Sequence, residues 1–321
     1  MSNREHIKDK VEQWASFLFN DFRSVGLFFC ISQDLYVNLA ELYSLSKSDS
    51  KTNAGVVLNP SDAGQCLTEL KRTESFVRGL AEAVQERLDA GCAPVHVFYA
   101  GCGPFATLAL PLTYQFTPEQ FQVTILDYHQ QAIDSATDLF QLLGKEAYIR
   151  EAIVDDAVTH QLSNPDDIDI VLTETLQRAL TQECQVPIVR NLLSQVKKTV
   201  PLIPQEIRVG GLWTEVQDGH ENRAAITDND VEMDNIIVLN AETVREETYL
   251  RSIPGQARTH PSQTFCLQTE IDVYGDWKLR RNESGLTCPH PMGGVIFEDG
   301  ETLTFEYEVG EHPGLRLKST V

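Results

Sequence analysis

Between residues 94 and about 209, short apolar runs alternate with stretches of helical period, and this alternation restricts the chain more than any other feature. VHVFYA (95–100), QVTILDY (122–128), AYIREAIV (147–154), IDIVLTE (168–174) and EIRVGGLW (206–213) read as strands. ATLALPLTYQF, HQQAIDSATDLFQLLGK and PIVRNLLSQVKKTV, which lie between them, read as helices. Strands and helices in this order build βαβ units, which close into a mostly parallel, doubly wound α/β sheet.

The flanks read differently. Residues 1–93 are helical in pattern. The run 59–91 begins at Pro60 and Ser61, a cap site, and stops at Gly91, with Leu67, Leu70, Phe76, Val77, Leu80, Val84 and Leu88 mostly at three- and four-residue steps. Beyond about residue 214 the helical period fades. TFCLQTEIDVYG (264–275) and TLTFEYEVG (302–310) alternate as antiparallel strands do, with turns at GDW, MGG and EDG. The 321 residues therefore divide into an N-terminal helical region (1–93), an α/β domain (94–213) and a β-rich C-terminal domain (214–321).

Composition narrows the function. A formal charge of −21 argues against nucleic acid as a partner, because phosphate contacts need a basic surface. The acid-rich 298–312 reads as a solvated strand face. No apolar run approaches a membrane span, and MSNREHIKDKVEQWASFLF is charged too early for a secretory signal, so no membrane partner is expected and the compartment is read as cytoplasmic. Seven scattered cysteines without a CxxC pair argue against a disulfide framework and against structural zinc.

In an open parallel sheet, ligands bind beyond the carboxyl ends of the strands. After the first strand stands Gly101-Cys102-Gly103, either a backbone approach to a ligand or a tight strand-to-helix turn. Asp127 ends the second strand, 24 residues past Gly103, where an acid accepts from ribose hydroxyls or caps a helix; Tyr128 follows it. Asp155-Asp156 follows the third strand, placed to accept from an adenine amino group, and Glu174 ends the fourth. No GxxxxGK[ST] occurs. Pro104-Phe105 stands where a dinucleotide fingerprint has its third glycine, which favours an adenosyl ligand without a pyrophosphate, S-adenosylmethionine.

These features resemble the class I S-adenosylmethionine methyltransferases, and within them the protein arginine methyltransferase branch. CLTELKRTESF (66–76) is similar to the family's helix before the first strand, whose arginine grips the methionine carboxylate; this implies that role for Arg72. AGCGPF resembles the AGxGPL form of the cofactor loop, which places Tyr99, Gly101, Cys102 and Gly103 at the cofactor. TETLQRALTQE (173–183) sets Glu174 and Glu183 nine positions apart, similar to the family's double-glutamate hairpin that holds a guanidinium. THPSQTF (259–265) resembles its Thr-His-Trp loop and makes His260 a reserve general base. The resemblance implies a Rossmann-like domain followed by a β domain, and a homodimer formed through an arm, for which 218–235 is the candidate.

The departures are specific. Tyr99 stands where the cofactor loop has an acid, and Pro261 where the family has tryptophan. The expected activity is methyl transfer to a nitrogen or oxygen nucleophile of a small molecule, amino acid or peptide, with Glu174 and Glu183 orienting and deprotonating it. Two alternatives stay open. The same fold hosts a cyclase or aminocarboxypropyl-type transferase that releases methylthioadenosine, as in formation of azetidine-2-carboxylic acid. The other alternative is a non-catalytic methyltransferase-like partner subunit.

Overall fold

In the computed structural model, residues 3–20, 24–216, 226–246 and 249–320 are described. Two helices, α1 (Asn3–Phe19) and α2 (Val25–Tyr43), lead into a small hairpin of β1 (Ser50–Thr52) and β2 (Gly55–Val57). Helix α3 (Pro60–Gln65) follows, capped by Asn59, whose side chain accepts from the Asp62 amide. The helical pattern over 59–91 is thus two helices rather than one. A 3₁₀ turn and the non-helical Glu69 (φ −84°, ψ 89°) separate α3 from α4 (Leu70–Asp89).

The central sheet comprises β3 (Val95–Ala100), β4 (Phe121–Asp127), β5 (Ile149–Val154), β6 (Ile170–Thr173) and β7 (Leu202–Ile203), with α5 (Gln130–Leu143) and α6 (Gln185–Gln195) as crossovers. The order is β5-β4-β3-β6-β7 and every pairing is parallel. All six residues of β3 are buried, as expected of a strand covered on both faces. The chain winds one way from β3 to β5 and the other way to β6 and β7, so the switch point lies at the end of β3, where the glycine loop stands.

Two expectations for this region are corrected. The helical pattern over 106–116 does not produce an α-helix: the stretch after β3 forms turns and only a short 3₁₀ segment, Leu110–Tyr114. Pro104 and Pro111 supply no N–H, and Ala106 adopts φ +44°, so an α-helix cannot propagate there. The run at 206–213, which the sequence pattern assigns to the α/β sheet, does not join it. Instead β8 (Glu206–Thr214) pairs antiparallel along nine residues with β11 (Thr264–Tyr274) and lies beside β9 (Val231–Asn240). All nine of its residues find partners among the eleven of β11, whereas the two-residue β7, bounded by Pro201 and Pro204, fills the parallel slot.

The antiparallel part contains a sheet ordered β12-β11-β8-β9, with β12 at Trp277–Leu279 and β13 (His290–Pro291) also on β11. A second sheet is ordered β10-β14-β15 (Leu250–Pro254, Thr302–Glu308, Gly314–Thr320). Of the candidate arm at 218–235, residues 218–225 lie outside the described residues, and its end enters β9. Among the described residues no helix is long and apolar enough to cross a membrane.

Candidate active site

The carboxyl ends of β3, β4 and β6 open into a cavity of about 450 Å³. Its lining includes Arg72, Tyr99, Gly101, Cys102, Gly103, Asp127, Tyr128, Asp156, Glu174 and Glu183. Two residues expected at the site lie elsewhere. Asp155 is absent from the lining; its Oδ2 is 2.7 Å from His160 Nδ1, and that hydrogen bond holds its carboxyl below the usual range. His260 is exposed on a β-domain turn, 2.6 Å from Ser262 Oγ and 3.5 Å from Glu215, and does not line the cavity.

The glycine loop is shaped by the strands it joins. Gly101 and Cys102 donate backbone N–H bonds to the Leu126 carbonyl at 2.8 and 3.1 Å. Gly103 N donates to Asp127 Oδ2 and His129 N to Asp127 Oδ1, both at 2.9 Å, so the buried carboxylate ties the loop to the head of α5. Each of its oxygens keeps lone-pair capacity for a ligand. Gly101 has φ +72°, and a Cβ there would stand 2.2 Å from the Thr175 methyl. The position excludes every other side chain on both counts.

Arg72 stands in the first turn of α4, just past the break at Glu69, and lines the cavity. Its guanidinium hydrogen-bonds Glu174 Oε2, and its other arm lies 3.6 Å from Glu69. Glu69 in turn accepts from Gly285 N at 2.6 Å and Ser284 Oγ at 3.0 Å, which anchors a β-domain loop at the cavity wall. Glu174 Oε1 is buried and, among the described residues, has no hydrogen-bond partner. An unmatched buried acceptor costs on the order of 1–3 kcal/mol, which a donor brought by a ligand would recover.

The segment between the two glutamates is strained and clamped. Ala179, Leu180 and Gln182 have φ +58°, +53° and +67°, a conformation that costs an L-residue roughly 1–2 kcal/mol each. The β domain holds it through Ala179 N to Thr269 Oγ1 (2.7 Å), Tyr307 Oη to the Leu180 carbonyl (2.9 Å) and Gln182 N to the Pro313 carbonyl (3.2 Å). The β1–β2 hairpin closes the other side, with Val56 N donating to the Gln182 carbonyl at 2.7 Å.

Burial dominates the electrostatics. It raises the Glu174 carboxyl against the opposing pull of Arg72, and raises Glu183 to about 7 with help from the Glu174 charge. It also keeps the Tyr99 phenol protonated and pushes the Cys66 thiol up to about 12 and Cys184 to about 11. Because the Glu183 value is raised by folding, its contribution to stability is full below about pH 4.5 and is lost as pH rises through about 7. Thermal melts between pH 5 and pH 8 are therefore expected to drop by about 3 °C more in the wild type than in Glu183→Gln. Equal pH dependence would place Glu183 in water.

Several lining residues escape a sequence reading. Val56, Val57 and Leu58 enter from a hairpin whose one signal is the Asn53-Ala54-Gly55 turn, and Cys66, Thr175 and Gln177 lie inside the quoted motifs at positions to which the resemblance assigns no role. Among the described residues no group of three or more His, Cys, Asp and Glu is placed to hold a metal ion.

A parallel sheet with its switch-point cavity, joined to an antiparallel β unit that clamps a glutamate-bearing loop, defines a Rossmann-like α/β fold extended by a β domain. It is the fold of the protein arginine methyltransferases. The Trypanosoma brucei PRMT1 enzyme-prozyme heterotetrameric complex with AdoHcy matches over 79% of this chain and 94% of its own, at TM-score 0.54 and 13% identity. Arabidopsis thaliana protein arginine methyltransferase 10, described in a uniquely open conformation, matches over 75% of this chain and 85% of its own, at TM-score 0.50 and 11% identity. No protein-family model matches the chain, and no curated protein matches it by sequence.

Proposed function

We propose that the cavity binds S-adenosylmethionine and that the chain is a methyltransferase for a nitrogen or oxygen nucleophile of a small molecule, amino acid or peptide. The observation that carries this reading is the convergence of the Gly101–Gly103 backbone, Arg72 and the Glu174–Glu183 carboxylates on one cavity. AdoHcy in the T. brucei relative supports the cofactor. Arg72 is assigned to the methionine carboxylate, Asp127 to the ribose hydroxyls and Asp156 to the adenine amino group. Tyr99, Cys102 and Tyr128 line the remaining cofactor walls.

When bound, the cofactor supplies a methyl group on a sulfonium, already a strong electrophile, so the protein's work is positioning and proton handling. Glu174 offers its unmatched Oε1 to a donor on the acceptor. Glu183, with a value of about 7, suits the transfer of a proton near neutrality. Asp155 and His260 have no part in this assignment. A guanidine fits the paired carboxylates.

A second reading keeps the cofactor and releases methylthioadenosine by attack of its own amine. Tyr99 favours it: a buried neutral phenol, where the resemblance expects an acid, places no charge to hold an ammonium protonated. The sulfur-containing product decides. S-adenosylhomocysteine, formed with guanidine and amine acceptors, is the expected result. Methylthioadenosine transfers the assignment to the second reading. Neither product, with no AdoHcy binding, would leave a non-catalytic partner subunit.

A further inference from the structure

Gln185, the first residue of α6, is a buried polar side chain whose described hydrogen bonds all land on the strand end that carries Glu174. Its Oε1 accepts from Thr175 N and from Thr175 Oγ1, both at 2.9 Å, and its Nε2 donates to the Thr173 carbonyl at 3.3 Å. Glu174 lies between the two residues so held. Gln185 follows Glu183 by two positions, so the amide fastens the closing end of the glutamate loop to its opening end. The third party is the glycine loop, because the Thr175 methyl fills the space directly over Gly101.

We infer that Gln185 is a positioning residue that holds Glu174 and Glu183 in register with each other and with the Gly101 loop. The inference rests on the proposed joint role of the two glutamates. Leucine at 185 would leave Thr175 N and the Thr173 carbonyl without buried partners. Asparagine is one methylene too short to span both. In either case the base of the loop opens and the two carboxylates separate. The main clamps at the tip, from Thr269, Tyr307 and Pro313, remain in place.

The readout is the titration of Glu183, which needs no ligand. The charged and titratable groups acting on it are Glu174 at the end of β6, Arg72 on α4, Asp49 ahead of β1, and the buried thiols of Cys66 and Cys184, with Gln177 as a hydrogen-bond partner inside the loop. In protein labelled with carboxyl-¹³C glutamate, the Glu183 signal, identified by its absence from Glu183→Gln, is expected to titrate near 7 in the wild type. In Gln185→Asn and Gln185→Leu that carboxyl is expected to fall by about one unit as water and distance relieve it. Leu192→Ala, a buried residue of the same helix, is expected to lower the melting temperature without moving the titration.

An unchanged Glu183 titration in folded Gln185→Asn overturns the inference, even if Gln185→Leu fails to fold. So does a shift of equal size in Leu192→Ala, or a wild type with no carboxyl titrating near 7. AdoHcy titration of the wild type runs as a separate arm. Its failure would remove the cofactor reading, while the ¹³C result still decides the role of Gln185.

Discussion

Glu174→Gln is expected to lower product formation from S-adenosylmethionine by roughly a thousandfold while AdoHcy affinity stays within about threefold. The glutamine keeps an oxygen for Arg72, so the cofactor's carboxylate site survives in shape. It loses the charge that holds a cationic acceptor, and it presents at most one acceptor oxygen where the carboxylate presents two. Deleting the side chain would be a poorer test. Removal of one partner from a buried ion pair costs about 3–5 kcal/mol and would confound chemistry with folding. Glu69, 3.6 Å from Arg72, limits that loss in the isosteric variant. Parallel rate and calorimetric measurements separate the outcomes, and retained turnover would remove Glu174 from the chemistry.

Gly101→Ala is the second large effect, and its neighbour supplies the control. At Gly101 a methyl group meets the Thr175 methyl at 2.2 Å in a left-handed backbone. Thr175 cannot retreat freely, because Gln185 holds both its amide and its hydroxyl. The loop must move, and AdoHcy binding is expected to weaken by about a hundredfold or more. At Gly103, φ is +64° but the added carbon lies 3.6 Å from Ala63 Cβ, an ordinary contact. Gly103→Ala is therefore expected to lose only about 1–2 kcal/mol of stability from backbone strain. Calorimetry with AdoHcy on both variants tests the contrast, and equal losses would mean that the loop is not packed against Thr175.

The sequence made the sheet legible because burial of β3, β4 and β6 on both faces leaves continuous apolar runs, and because their ends carry Gly101, Asp127 and Glu174. Local pattern said less about partners. The alternation in Glu206–Thr214 marks a strand equally well in either sheet, and only the nine-residue register with β11 assigns it. Helical periodicity over 106–116 runs against Pro111 inside the stretch and Pro104 just before it, and the prolines prevail. Asp155 and Asp156 are indistinguishable as letters; His160 takes one and the cavity the other. The hairpin at 50–57 and the Gln185 staple have no motif, since each acts through backbone groups distant in sequence.

The central claim is that the cavity at the ends of β3, β4 and β6 is an adenosylmethionine site. Isothermal titration of the full chain with S-adenosylhomocysteine tests it most directly. The prediction is saturable binding to one site per chain in the micromolar range or tighter, strongly weakened in Gly101→Ala. Absence of heat together with absence of a thermal shift, in a folded wild-type protein, would contradict it.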